Sequence, residues 1–286
     1  MQRPDVKAFF DEASNTFSYV AWDPVTRLAA VVDSVLDYDA AAGRTKHVSA
    51  DALIDFVKTS GLTVQWVIDT HVHADHLSAA QYVKSVLGGT IGIGEHIVAV
   101  QEAFGSLLNE GDAFPRNGSQ FDHLFKDGER YMLGDIEATA LHTPGHTPAC
   151  MTHVIGDAAF VGDTLFMPDY GTARCDFPGG DARVLYRSIQ KIFALPDTTR
   201  IFLCHDYKAP GRDTFAYEST VAEERQGNVH LRDGEDAFVA MRTTRDATLP
   251  VPRLLLPAVQ VNMRAGRLPA AEANGTSYLK IPLNRV

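Results

Sequence analysis

Strand-length apolar runs bounded by polar breaks fill the first two thirds of the chain. Phe17 to Trp22 and Leu28 to Leu36 are the first two. Asp23-Pro24-Val25-Thr26 between them has turn chemistry, so the pair predicts a hairpin whose first strand lies at a sheet edge. After a break at Gly43, Ser49 is placed to cap a helix that carries Leu53, Ile54 and Val57 on one face and stops at Gly61. Val64 to Ile68 reads as a buried strand. Leu77 to Leu87 reads as a helix stopped by Gly88-Gly89, Ile91 to Gly94 as a short strand, and His96 to Leu108 as a helix. Asn109 to Ser119, rich in Gly, Asn, Pro and Asp, reads as a loop.

The pattern then repeats in kind. Phe121 to Phe125 and Glu129 to Leu133 predict strands around Lys126-Asp127-Gly128, and Ile136 to His142 alternates apolar and polar. Cys150 to Ile155 and Ala158 to Val161 predict a hairpin turning at Gly156-Asp157. Asp181 to Leu195 carries Val184, Leu185, Ile189, Ile192 and Phe193 at helical spacing, and Pro196 ends it. Ile201 to Cys204 is a last strand. Strands, helix, strand, helix, strand thus occur in each half, which suits an α/β (α+β) sandwich of two sheets with helices outside. From Tyr207 the pattern weakens. Glu218 to Asn228 predicts a short helix, while Leu249-Pro250-Val251-Pro252 and Leu256-Pro257 argue against regular structure. The expectation is one domain over residues 1–286, with an extension from about 207 to 286 wrapping the core.

Composition changes this picture little. Apolar residues make up 45% and charged residues 22% of the 286 positions, as in ordinary globular chains. The formal net charge of -10 argues against a nucleic-acid partner but not against a small anionic substrate, because a few cleft arginines can dominate the local field. Cys150, Cys175 and Cys204 form neither an even disulfide framework nor a Cys-x-x-Cys pair, which points to a reducing compartment. The stretch Met1 to Asp5 has no apolar leader character and no run reaches membrane-spanning length. Together these predict a cytoplasmic protein without a membrane partner, or an organellar-matrix one had a presequence been removed.

The chemistry concentrates at Asp69-Thr70-His71-Val72-His73-Ala74-Asp75-His76. Here four ligand-type side chains follow a buried strand directly. Open α/β sheets keep their chemistry at such strand ends. His146, Asp163 and His205 also follow apolar strand-like runs and open turns. Imidazole and carboxylate are the donors that iron and zinc accept, so convergence of these separately placed residues predicts a metal site.

His71-Val72-His73-Ala74-Asp75-His76, Thr143-Pro144-Gly145-His146, Val161-Gly162-Asp163 and Cys204-His205-Asp206 resemble, in order, the motifs of the metallo-β-lactamase superfamily. That resemblance covers roughly Phe9 to Arg212 and implies an αββα sandwich with its metal site at one edge of two mixed sheets. Gly171-Thr172-Ala173-Arg174-Cys175-Asp176-Phe177, with Phe160 to Phe166 and His205-Asp206-Tyr207, is similar to the persulfide dioxygenases of that superfamily. The segment Asn262-Met263-Arg264-Ala265-Gly266-Arg267-Leu268-Pro269 also resembles bacterial members, without a mechanism attached.

The closer resemblance implies one Fe(II) per chain bound by His71, His146 and Asp163, the facial set of non-haem oxygenases, which leaves positions open. The implied reaction converts glutathione persulfide, O₂ and water to sulfite and glutathione. It also points to a homodimer. His73, Asp75, His76 and His205 either hold the ligands by hydrogen bonds or complete a second zinc or mixed-metal site bridged by Asp163. The second case would make the protein a thioester hydrolase resembling glyoxalase II. Arg174, Tyr207, Lys208 and Arg212 are the expected contacts for the substrate's carboxylates, with Arg174 alternatively paired to Asp176.

Overall fold

The computed structural model describes residues 3–285; Met1 and Gln2, at the head of the stretch read for a leader, lie outside the described residues. Strands β1 (Asp5–Asp11), β2 (Thr16–Trp22), β3 (Leu28–Val32), β4 (Val35–Asp39) and β5 (Arg44–Lys46) precede helix α1 (Val48–Thr59). Next come β6 (Thr63–Ile68), β7 (Leu77–Ser78), α2 (Ala80–Leu87), β8 (Thr90–Gly94), α3 (Ile97–Leu107) and β9 (His123–Phe125). The second half holds β10 (Glu129–Leu133), β11 (Ile136–His142), β12 (Met151–Ile155), β13 (Ala158–Phe160), α4 (Ala182–Phe193) and β14 (Arg200–Phe202). It closes with β15 (Glu218–Thr220), α5 (Val221–Gly227), α6 (Gly234–Asp246) and α7 (Leu255–Asn262).

Two six-stranded mixed sheets result, in the orders β1-β2-β3-β6-β8-β9 and β10-β11-β12-β13-β14-β15, with a small sheet β5-β4-β7 beside the first. Period-two alternation sends each strand's side chains to two cores. In β3, Ala29 and Val31 face Leu53 and Val57 of α1, Val83 of α2, Phe104 of α3 and Val259 of α7. Ala30 and Val32 face inward and meet Leu133, Ala138, Met151, Phe160 and Phe202 of the second sheet. Beyond that sheet, Leu185, Ile189 and Ile192 of α4 pack on Val161, Ile201 and Leu203, joined by Phe238 of α6. The layers run helix, sheet, sheet, helix. No helix among the described residues is long and apolar enough to cross a membrane.

Several expectations need correction. The sheet edge is β1, not the strand at Phe17; its half-exposed residues carry little periodic signal. Leu28 to Leu36 is not one strand, because Asp33 takes a left-handed conformation (φ 51°) and splits it into β3 and β4. Ser49 does not cap α1. Its amide and hydroxyl donate to Asp37 at 3.0 and 2.7 Å, and helix α1 begins at Val48 after His47. Leu77 and Ser78 pair with β4 rather than starting α2. The Pro-rich stretch does hold a helix, α7. Pro257 sits in its first turn, where a missing N–H costs no helical hydrogen bond.

At one edge of the sandwich the ends of β3, β6, β11, β13 and β14 meet the start of β2. Phe17 N donates to the Cys204 carbonyl at 2.7 Å and Met151 N to the Thr70 carbonyl at 2.9 Å, tying the sheets together there.

Candidate metal centre

Parallel pairing of β3, β6 and β8 puts their C-terminal ends at that edge, so the turn after Ile68 opens over it. His71, His146 and Asp163 offer ligand atoms within 4.8 Å of one another. Asp163 Oδ2 lies 4.0 Å from His71 Nε2 and 3.6 Å from His146 Nε2. Gly145, at φ 135°, lets the His146 turn lie against α4, since a Cβ there would come within 2.3 Å of the Leu185 Cα.

Each imidazole is oriented by its other nitrogen. His146 Nδ1 donates to the Arg174 carbonyl at 2.7 Å, which leaves the Nε2 lone pair facing the centre. Thr70 Oγ1 gives its proton to Asp33 Oδ2 at 2.8 Å and so accepts from His71 Nδ1 at 3.0 Å. Burial, aided by the neighbouring His73, lowers the His71 pKa well below the usual histidine range, which keeps it neutral and ligand-competent. His205 Nδ1 donates to the Asn15 carbonyl at 3.1 Å, while its Nε2 stands 3.2 Å from Asp163 Oδ1 and 3.5 Å from Asp75 Oδ2. Burial opposes charge on His205, but Asp163 and Asp75 outweigh it and raise its pKa to about 10. Burial likewise opposes ionisation of Asp163, and His205 with the two facing histidines overcomes it and holds that carboxyl well below the usual range.

Asp33 was missed by sequence reading. It accepts from Thr70 N at 2.7 Å and from His73 Nε2 at 3.0 Å, besides the Thr70 hydroxyl. A lone carboxylate inside the apolar run Leu28 to Leu36 was the available signal, because a buried charge must find partners. Asp75 and His76 sit apart from the three-residue cluster. Asp75 Oδ2 takes the Thr16 hydroxyl at 3.1 Å and faces His76 Nδ1 at 3.2 Å.

The side chains fit a bound cation. His71 Nε2, His73 Nδ1 and His76 Nε2 are buried and hydrogen-bond to nothing. Each such orphan costs about 1–3 kcal/mol unless another partner satisfies it. Two neutral imidazoles and a carboxylate on one side of a cavity are a donor set for Fe(II) or Zn(II). The sequence model of the Metallo-beta-lactamase superfamily matches residues 12–205.

This chain belongs to that superfamily.

Its relatives there include a protein of Burkholderia pseudomallei named as a probable metallo-hydrolase, 58% identical over 98% of this chain and 99% of its own. Glyoxylase B2 of Dictyostelium discoideum is 47% identical over 98% of this chain and 97% of its own. The human mitochondrial persulfide dioxygenase ETHE1 is 32% identical over 91% and 88%. Among solved structures, ETHE1 from Myxococcus xanthus superposes with a TM-score of 0.72 at 28% identity, covering 92% of this chain and all of that one. The protein is thus a metal-dependent enzyme of the metallo-β-lactamase superfamily.

Around this superfamily metal centre lies a cleft of about 280 Å³, bordered by Asp75, His146, Asp163, His205, Tyr207 and Arg253 among others. An apolar recess of about 290 Å³ adjoins it on the His146 side, walled by Phe104, Leu107, Phe177 and Leu255. Of the residues expected at carboxylates, Tyr207 lines the central cleft, its ring beside those of Phe166 and Tyr170. Arg174 borders both spaces, yet its guanidinium is engaged by Asp176 and by the Pro250 carbonyl at 2.9 Å. Arg212 is not on the rim. It closes on Asp206 and, at 2.7 Å, on Asp169. Lys208 lies 4.4 Å from the Phe215 ring and lines neither space. Sequence reading missed Arg253, which borders the central cleft, and Arg245, which borders a recess of about 200 Å³ on its Tyr207 side.

Proposed function

We propose that this enzyme is a persulfide dioxygenase acting on glutathione persulfide. The supporting observation is that His71, His146 and Asp163 offer one compact set of donor atoms, while Asp75 and His76 group with His73 and reach Asp163 only through His205. A facial set of two imidazoles and one carboxylate leaves room for more than one further ligand. Fe(II) held by these three side chains supplies the oxygen activation. The rest falls to the protein. Thr70 and the Arg174 carbonyl keep the two histidine lone pairs aimed inward. Tyr207 walls the cleft, with Phe166 beside it on the adjoining recess. The guanidinium of Arg253 borders the cleft and makes no hydrogen bond or ion pair among the described residues, which suits it to a substrate carboxylate. The balanced reaction is glutathione persulfide plus O₂ plus water giving glutathione, sulfite and two protons.

Anaerobic purification with metal analysis, followed by oxygen uptake on adding glutathione persulfide, tests this. About one iron per chain and rapid uptake is the expected outcome. A specific observation favours the second reading, a dinuclear thioester hydrolase: the buried, unpartnered His73 Nδ1 and His76 Nε2 are atoms a second ion would satisfy. Glyoxylase B2 is also the nearer relative of the two named enzymes. Two zinc or mixed metals per chain, hydrolysis of a glutathione thioester and no oxygen uptake would sink the dioxygenase reading.

A further inference from the structure

The Asn262 side chain, at the end of α7, is 1% exposed and lies directly behind the metal loop. Its Nδ2 donates to the carbonyls of His73 and His76, both at 2.9 Å. Its Oδ1 accepts from Ser78 N at 2.7 Å. Both amide hydrogens and the carbonyl of this carboxamide are therefore spent on one turn. The loop carbonyls have no strand partner there, because β6 has ended and β7 has not begun. A buried carbonyl left without a donor is costly, so the turn would rearrange rather than tolerate the loss.

The segment that follows locks this contact. Ala265 and Gly266 both take left-handed conformations (φ 57° and 82°), and a Cβ on Gly266 would stand 2.7 Å from the Ser78 carbonyl. Gln101 of α3 donates to the Met263 carbonyl at 3.0 Å, fixing the end of α7 from the other side. The Asn262-Met263-Arg264-Ala265-Gly266 stretch, which had no mechanism in the sequence, thus meets the His-x-His-x-Asp-His turn face to face.

We propose that Asn262 is a positioning residue of the metal centre: it holds the His71–His76 turn in its ligand-presenting shape through the His73 and His76 carbonyls. The proposal rests on the reading that this turn serves a metal ion. It does not depend on which reaction the ion supports.

The test is Co(II) titration of metal-free protein, read by visible absorption, with thermal unfolding of the same metal-free samples. In Asn262→Asp the Ser78 contact can persist while a carboxylate oxygen faces two carbonyls. Co(II) affinity is expected to fall about ten- to a hundredfold, with a changed absorption envelope. Asn262→Ser is too short to reach any of the three partners and should lose at least as much; it also serves if the aspartate variant does not fold. Val259→Ala loosens the same helix by removing buried packing without touching the turn. It should lower the melting temperature and leave Co(II) affinity within about twofold. Unchanged affinity in both Asn262 variants, or an equal loss in Val259→Ala at equal destabilisation, would overturn the assignment. Wild-type protein that bound no Co(II) would overturn it together with the metal reading. Oxygen uptake is measured separately, so failure of the dioxygenase reaction is distinguishable from failure here.

Discussion

Asp33 does not line the central cleft, yet it organises Thr70 and His73 behind the metal centre. Burial works against its charge; His73, His71 and the Thr70 amide overcome that and lower its pKa to about 2. Asp33→Asn would set amide donors against groups that are already donors. We expect metal affinity to fall about ten- to a hundredfold, measured by competition with a chelator. Asp163→Asn removes a ligand outright and should cost more than that. His76→Ala separates the two readings of the centre. One iron and most of the oxygen uptake survive it if His71, His146 and Asp163 suffice, whereas a dinuclear hydrolase would lose a metal equivalent and its activity. At this scale the sequence was legible where several donor types crowd together, as in His71 to His76. Asp33 and Asn262 were not legible, because a single polar residue acquires its meaning only from what the fold places beside it.

Helix α6 shows how an element far along the chain shapes the centre. Its buried pair Arg242–Asp246 clamps the loop before α4. Asp246 Oδ2 accepts from Cys175 N at 2.8 Å, and Arg242 Nη1 donates to the Thr172 carbonyl at 3.1 Å. Between those two points lies Arg174, whose carbonyl orients His146. Arg242→Met strands a buried carboxylate and should cost about 3–5 kcal/mol in urea unfolding. A loss under 1 kcal/mol would show that water reaches the pair. Strand β11 and the helix α4 were readable because one apolar face fixes their period, and β2 because it is a short apolar run buried on both faces. After Tyr207 the short helix expected over Glu218 to Asn228 is present as α5, but α6 and α7 were not readable. Helix α7 hides behind prolines that its first turn tolerates, and the bend at Asp33 is imposed by Thr70 and His73, not by local preference.

For the molecule as a whole, Glu224 of α5 is a buried acid whose stability contribution runs opposite to that of Asp33. Burial raises its pKa to about 8 despite the Asn228 amide donating to it. The folded state therefore keeps a proton that the unfolded chain releases near pH 4.3. This favours folding below that pH and is lost as pH rises toward 8. Asp33, with its depressed value, favours folding above about pH 3.9 and loses that as pH falls toward 2. Glu224→Gln should flatten the stability profile between about pH 5 and pH 8 and raise stability at the alkaline end, as read by urea unfolding across that range. An unchanged slope would mean that the carboxyl ionises in place.

Ribosomes release this chain from one end, and the contacts from Asn262 to the carbonyls of His76 and His73 span 186 and 189 residues. Every candidate ligand is synthesised well before its brace. A nascent chain that has not reached α7 already carries His71, His146, Asp163 and His205, but the turn between β6 and β7 then has only its Asp33 contacts and lacks those of Asn262. The brace on that turn therefore forms later than every ligand it supports, once α7 has followed both sheets out.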